Sequence, residues 1–281
     1  MRILLGGIIF LSVCLIGISV QAQNPLVLYD DFNSEFMDIE KWTTSQRMDT
    51  GVMILEYVRE LHGGRLHMMS RAFGNTEGSY SGTRAGYVNS LFGMGEVFQS
   101  LKVSVKVNDV EATGCLDSNT IPTSARARLV GAFFNAGEIT PLPDPPGRTN
   151  DVTVQIRIQR RSNSTDKPQL LEVLADVFRC TDSPCNNASG PPSVSLGNIM
   201  LGQWATIEVD WNGGTQFNLK LNKEPTIVFD IQPDWSVLPV RIPFHVLGVA
   251  NQIANCPANE RAMGFIDAEF DNLFVRELTS P

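Results

Sequence analysis

The sequence predicts an all-β protein, a two-sheet antiparallel β-sandwich, and three features carry that prediction. Residues 101–107, LKVSVKV, and 152–158, VTVQIRI, alternate apolar and polar side chains without a break, as a strand with one face on a core does. No segment shows a 3.6-residue apolar stripe longer than two turns, which leaves no long amphipathic helix to pack. Residues 202–222, GQWATIEVDWNGGTQFNLKLN, place two alternating runs on either side of Asn212-Gly213-Gly214, a turn sequence that joins antiparallel strands. In the first of these runs Ala205, Ile207, Val209 and Trp211 face one way, and Thr206, Glu208 and Asp210 face the other. Such a strand has one buried and one wet face, as in two stacked sheets.

The chain opens as an export signal does. Met1 and Arg2 are followed by an apolar run over 3–20, interrupted only by glycines, serines and Cys14, and Val20-Gln21-Ala22 puts small residues at the −3 and −1 positions of a cleavage site. Residues 1–22 are therefore expected to be a signal peptide and 23–281 a single mature domain, secreted, periplasmic or held at the cell surface. A retained anchor is the alternative, since the run is long enough to span. No stop-transfer flank follows it, however, and no later stretch reaches spanning length. A lipid on Cys14 fits less well, because Leu15–Val20 remains apolar beyond it.

After the leader, runs that read as strands fall at 26–31, 65–71, 101–107, 126–134, 152–160, 170–178, 205–211, 217–222, 226–229, 244–250 and 265–275. Residues 34–42 suggest one short helical turn. Two loops stand out: 138–151, with four prolines and Gly147, and 181–198, rich in Ser, Asn, Pro and Gly. Strands of one type continue on both sides of each, so they read as long loops of one domain, where sandwiches tend to carry function.

The formal charge of −8 becomes more negative when Arg2 leaves with the signal, which speaks against nucleic acid or an anionic membrane as partner. Signal cleavage also removes Cys14 and leaves Cys115, Cys180, Cys185 and Cys256. In an exported chain an even set suggests disulfides, of which three connectivities exist. Cys180 and Cys185 close a small loop around Asp182-Ser183-Pro184 and are paired locally, leaving Cys115 with Cys256. The alternative, a zinc site, lacks a histidine near Cys180 and Cys185.

Three stretches together resemble the concanavalin A-like lectin/glucanase superfamily, whose fold is a laminin-G-like jelly roll. Leu28-Tyr29-Asp30-Asp31-Phe32, with Trp42 ten residues on, is similar to its opening strand and turn. The hairpin over Trp204–Leu221 is similar to its W…i.vdW…g…f.l.lN stretch, and 266–275 is similar to the closing strand that pairs beside the first. The resemblance implies a jelly-roll sandwich and a glycan-related role, in a superfamily that holds binding modules, glucanases, lyases and adhesion domains.

Glucanases of this superfamily carry Glu-x-Asp-x-x-Glu or Glu-x-Asp-x-Glu on one strand, a spacing that sets nucleophile, helper and acid on one face. Glu208 and Asp210 match the first two positions, but Asn212 and Gly213 stand where the proton donor would be. Glu269 and Asp271 repeat the pair without the third acid. Catalysis is therefore not expected; if the chain were a glycoside hydrolase or polysaccharide lyase, Glu208 and Asp210 would be its candidates. Jelly rolls often hold calcium where the first and last strands meet, and the resemblance puts Asp30, Asp31, Asp267 and Asp271 there, Asp31 and Asp271 foremost. No other cofactor is implied. For a sugar, flat aromatics and forked polar groups matter: Trp204 and Trp235, with Glu208 and Asp210, are the ligand-binding candidates, and Arg126, Arg128, Arg157 and Gln155 could line the same surface. His62, His67 and His245 form no zinc motif, and Gly78–Gly82 has Tyr80 where a nucleophilic serine would sit. Asn163 and Asn187 begin glycosylation sequons. The expected function is binding of a polysaccharide, glycoconjugate or other extracellular polymer; a glycan-active enzyme or a cell-surface adhesion protein are the alternatives.

Overall fold

Backbone pairing sorts the strands into two antiparallel sheets. The structure, a computed structural model, describes residues 24–48, 52–75, 83–116, 121–137, 147–183, 185, 187–214, 216–256 and 260–278. The expected leader at 1–22, the Gly78–Gly82 segment and most of the 138–151 loop lie outside the described residues. In chain order the strands are β1 (Val27–Asp30), β2 (Trp42–Met48), β3 (Val52–Leu61), β4 (Leu66–Gly74), β5 (Thr83–Phe92), β6 (Phe98–Thr113), β7 (Ser124–Asn135) and β8 (Asp151–Arg161). They continue as β9 (Leu170–Cys180), β10 (Ala188–Ser189), β11 (Val194–Met200), β12 (Trp204–Trp211), β13 (Gln216–Leu221), β14 (Ile227–Asp230), β15 (His245–Ala254) and β16 (Met263–Glu277).

The first sheet runs β14-β13-β12-β6-β16-β4-β3, with β1 also against β16; the second runs β10-β9-β8-β7-β15-β5-β2, with β11 also against β9. This is the two-sheet antiparallel sandwich that the alternation predicts, of the jelly-roll type that the resemblance implies. All the runs expected to be strands lie in it, most of them longer than expected. β2, β3, β5, β10 and β11 are additional. Residues 34–42 hold no helix: the Trp42 amide donates to the Asp38 carbonyl at 2.9 Å in a single turn.

The core follows from the alternation. Leu101, Val103, Val105 and Val107 of β6 and Ala205, Ile207 and Val209 of β12 meet Val152, Val154, Ile156 and Ile158 of β8, all at most 1% exposed. The sheets come close enough at Gly131 that a Cβ there would lie 2.6 Å from Leu101 Cδ1. Trp211 is on the core side as expected, stacked 5.2 Å from Phe134 with Phe133 and Phe217 nearby. The hairpin that follows turns through Gly213 at φ 79°, a left-handed conformation that glycine adopts without strain. The Asn212 side chain accepts from the Gly214 and Gln216 amides and fixes the turn.

The opening strand is tied down by Asp30, which accepts from Trp42 Nε1 at 2.7 Å and from the Phe32 amide at 2.7 Å. Trp42 and Tyr29 then pack on Phe92, which stacks on Phe98, and His245 lies against that pair, 4.7 Å from the Phe98 ring. β1 pairs β16 through Val27 and Val275, so the first and last strands are neighbours. Disulfides join Cys115 to Cys256 and Cys180 to Cys185.

Two expectations follow. The Cys115–Cys256 bond closes 141 residues of sequence and Cys180–Cys185 only five. If chain entropy dominates, replacing the first pair by alanine costs about 3 kcal/mol more than replacing the second, read as the difference in denaturation midpoint; equal losses would contradict the ordering. Burial holds His245 down to about 4, against an ordinary value of 6.5. The unfolded chain therefore takes up this proton first as pH falls, so the stability present above 6.5 is lost toward 4, by about 3 kcal/mol. His245→Phe should flatten the fall in melting temperature across that window.

Candidate functional site

On β7 and β8 the side chains opposite the core are mostly polar, as alternation requires: Arg126 and Arg128 on one strand, Thr153, Gln155, Arg157 and Gln159 on the other. The four on β8 are no more than 9% exposed. A polar strand face so little exposed is overlaid by neighbours rather than wet. Tyr87 and Asn89 of β5 and Ser45 and Arg47 of β2 flank it on one side, and Arg148, Phe178, Cys185 and Phe244 on the other, around a groove of about 590 Å³.

Tyr87 lies at the meeting point of three cations. The Arg128 guanidinium lies 4.6 Å from the ring centroid and that of Arg47 5.8 Å, while Arg126 faces the Tyr87 hydroxyl. Arg128 donates to Asn89 Oδ1 at 2.7 Å and to Gln155 Oε1 at 3.3 Å. Asn89 in turn donates to Ser45 Oγ at 3.3 Å, and Gln155 to Asp176 Oδ2 at 3.1 Å. Asp176 lies beside Gln155 on the same sheet face and is engaged there: it pairs with Arg157 and also accepts from Ser193. Burial lowers the Arg126 and Arg128 guanidiniums, Arg128 to about 10, which leaves it charged at neutral pH.

Arg148 forms the opposite rim. Its guanidinium stacks 4.3 Å from the Phe244 ring and donates to Thr153 Oγ1 at 3.2 Å. The backbone holds it there, since the Arg148 amide donates to the Ser183 carbonyl and the Asn150 amide to that of Cys180, both at 2.8 Å. Residues 180–185 are the loop closed by the local disulfide, so that bond shapes one wall of the groove.

The candidates named from sequence are distributed differently. Trp204, Glu208 and Asp210 belong to β12 and so to the outer face of the first sheet, while Arg126, Arg128, Arg157 and Gln155 belong to the outer face of the second. The expectation that both sets line one surface is corrected: the outer faces of a sandwich point apart. On the first sheet Glu208, Asp210 and Glu269 each have a cation. Glu208 pairs with Lys220 at 2.9 Å, and Asp210 with Arg276 at 2.8 Å while accepting from Ser100. Glu269 takes Lys106 and Arg65, each at 3.1 Å; burial alone would raise it, but these two cations hold it low. Arg65 and Lys106 also lie over the Trp204 ring, at 5.0 and 5.7 Å. Trp235 is half-buried against the core, with Arg179 5.9 Å from its ring.

Asp31 and Asp271 lie near one another where β1 meets β16. Burial, with Asp31 and Glu269 adding to it, raises the Asp271 carboxyl, while hydrogen bonds from Asn33 lower that of Asp31. Asp267 instead faces His67 and Asn108, at 3.1 and 3.0 Å. Among the described residues no cluster of three or more His, Cys, Asp or Glu is arranged to hold a metal.

Tyr87, Asn89, Arg148 and Phe244 are not among the site residues expected from the sequence, where Phe244 figures only as the start of a strand. Tyr87-Val88-Asn89 carries the alternation of a strand, Val88 inward and the polar pair outward, but Gly86 and Ser90 on either side interrupt the apolar signal. Arg148 and Phe244 stand just outside strands and reach the groove only through tertiary packing.

No family model matches this sequence, and no curated protein matches it. Among solved structures it is similar to LamA from Zobellia galactanivorans, determined in complex with laminaritriose and laminaritetraose, at 14% identity over 91% of this chain and 100% of that one, with a TM-score of 0.45. It is similar to the alginate lyase Aly36B at 12% identity over 91% and 97% of the two chains, TM-score 0.42. It is also similar to the carbohydrate recognition domain of Emp46p in its potassium-bound form, at 12% identity over 83% and 89%, TM-score 0.34.

Proposed function

We propose that this protein is an exported, one-domain β-sandwich that binds carbohydrate, without catalysis, in the groove of the second sheet. One observation supports this reading above the rest: Arg128, Asn89 and Gln155 form a hydrogen-bonded set around the Tyr87 ring, in the groove between β2, β5, β7 and β8. Carboxamides and guanidinium forks engage hydroxyls, and an aromatic ring takes the C–H face of a sugar. Against hydrolysis stands the lining itself, since no Asp or Glu is among the described residues around the groove and glycoside hydrolysis ordinarily needs two carboxylates. Trp204 is a weaker choice for stacking, because Arg65 and Lys106 already lie over its ring. The competing reading, a lyase, is favoured by the Tyr87 hydroxyl beside Arg126, a group able to carry a proton.

The test is retention of the protein, expressed with its own leader, on a panel of neutral and acidic polysaccharides, with reducing and unsaturated ends assayed in parallel. The expected result is retention without product, weakened on the order of tenfold by Tyr87→Ala or Asn89→Ala and unchanged by Trp204→Ala or Glu208→Gln. Loss on Trp204→Ala alone would move the site to the first sheet, and unsaturated product abolished by Tyr87→Phe would make the protein a lyase. Calcium at Asp31 and Asp271 belongs to the same proposal. It rests on two neighbouring carboxylates at the β1–β16 junction, and calcium raising the melting temperature of the wild type but not of Asp271→Asn would support it.

A further inference from the structure

The two outer faces of the sandwich are charged in opposite manners. On the first sheet cations and carboxylates are matched: Arg65 and Lys106 with Glu269, Lys220 with Glu208, Arg276 with Asp210, and Arg71 with Glu56. In the groove of the second sheet the described lining holds Arg47, Arg126, Arg128 and Arg148 and no carboxylate. This occurs in a chain whose formal charge is −8, so the imbalance is local and opposes the composition. Among the described residues Arg126 and Arg128 form no ion pair, and the Nε atom of each is buried without a hydrogen-bond partner.

We propose that the groove selects glycans bearing anionic substituents, carboxylate or sulfate, and that Arg126 and Arg128 read the anion. The inference rests on the reading that the groove is a glycan site and adds the chemical class of its ligand. Residues two apart on one strand face have Cα atoms about 7 Å from one another, and both of these guanidiniums turn to Tyr87. Holding them there without a counter-charge disfavours the free protein. A neutral sugar would cover them further and leave that cost in place. An oxyanion accepts two parallel N–H bonds from a guanidinium fork and removes it. Neighbouring groups favour the same outcome. Asn89 and Gln155 fix the orientation of Arg128 through their side-chain oxygens, Tyr87 supports it from the ring face, and Phe244 does the same for Arg148. Asp176, beside Gln155 on the same sheet face, is held by Arg157, Gln155 and Ser193, and among the described residues it makes no ion pair with Arg126 or Arg128.

The experiment uses chemically matched pairs of polymers, so it does not depend on a variant folding. Polygalacturonate is compared with its carboxyl-reduced form, and a sulfated galactan with its desulfated form, by affinity electrophoresis of the protein expressed with its leader. The expected result is retardation by at least one acidic member, on the order of tenfold stronger than by its neutral partner. The polyuronate arm identifies carboxylate as the substituent and the galactan arm sulfate. Arg126→Gln with Arg128→Gln should abolish the preference. Arg128→Lys should weaken it despite the retained charge, and Arg71→Gln on the first sheet should leave it intact. Retardation by neutral members equal to that by acidic ones overturns the proposal while the glycan-site reading stands. Retardation by none of the polymers overturns both.

Discussion

Each sheet has one of the last two long strands of the chain near its middle. β16 lies between β6 and β4, and β15 between β7 and β5. Everything else depends on that placement. β6 and β16 pair from Met263 with Thr113 to Glu277 with Phe98, across three register shifts. Until β16 arrives, β12, β13 and β14 are not joined to β4 and β3. Until β15 arrives, β7 and β5 have no bridge, and the groove that spans β2, β5, β7 and β8 has no floor between its two walls. The site is thus a product of long-range pairing, and its residues come from distant parts of the sequence: Ser45, Tyr87, Arg128, Gln155 and Phe244.

This geometry also separates two uses of charge. On the first sheet several acids and bases face each other across strands, an arrangement that contributes little per pair. The groove keeps its cations close together, where burial makes them costly unless something answers them. A chain rich in acid could have placed a carboxylate beside Arg128. Instead Asn89 and Gln155 occupy those positions, giving acceptors without charge. The wall bearing Arg148 is braced by backbone hydrogen bonds to the small disulfide loop, with the Asp151 carboxylate close enough to act on the guanidinium.

Much of the fold was legible because the core obeys a two-residue period. Val152 to Ile158 and Leu101 to Val107 declare their inner faces, and Trp211 falls inward by parity alone. β2 and β5 were not legible for the opposite reason. TTSQRM in β2, and Gly86, Asn89 and Ser90 in β5, serve the groove side or the close packing of strands and so lack the apolar alternation that reveals a strand. The candidate site was legible only in part. Arg126, Arg128, Arg157 and Gln155 stood out as a polar stripe, but parity says which residues share a strand face and not which sheet the strand joins. Glu208 and Asp210 drew notice through their spacing, and their salt bridges to Lys220 and Arg276 come from partners that the spacing does not contain.

The position of β15 and β16 has a consequence for the protein's life before folding. A ribosome that has made the first two hundred residues has made neither β16, which joins β6 to β4, nor β15, which joins β7 to β5. A chain cut short anywhere before His245 lacks both of these strands, and what remains is at most four separate blocks, β14-β13-β12-β6, β4-β3, β10-β9-β8-β7 and β5-β2, with open hydrogen-bonding edges. The two halves of each sheet can therefore be joined only when the chain is nearly complete, and its C-terminal strands weigh as heavily on the protein as any residue of the groove.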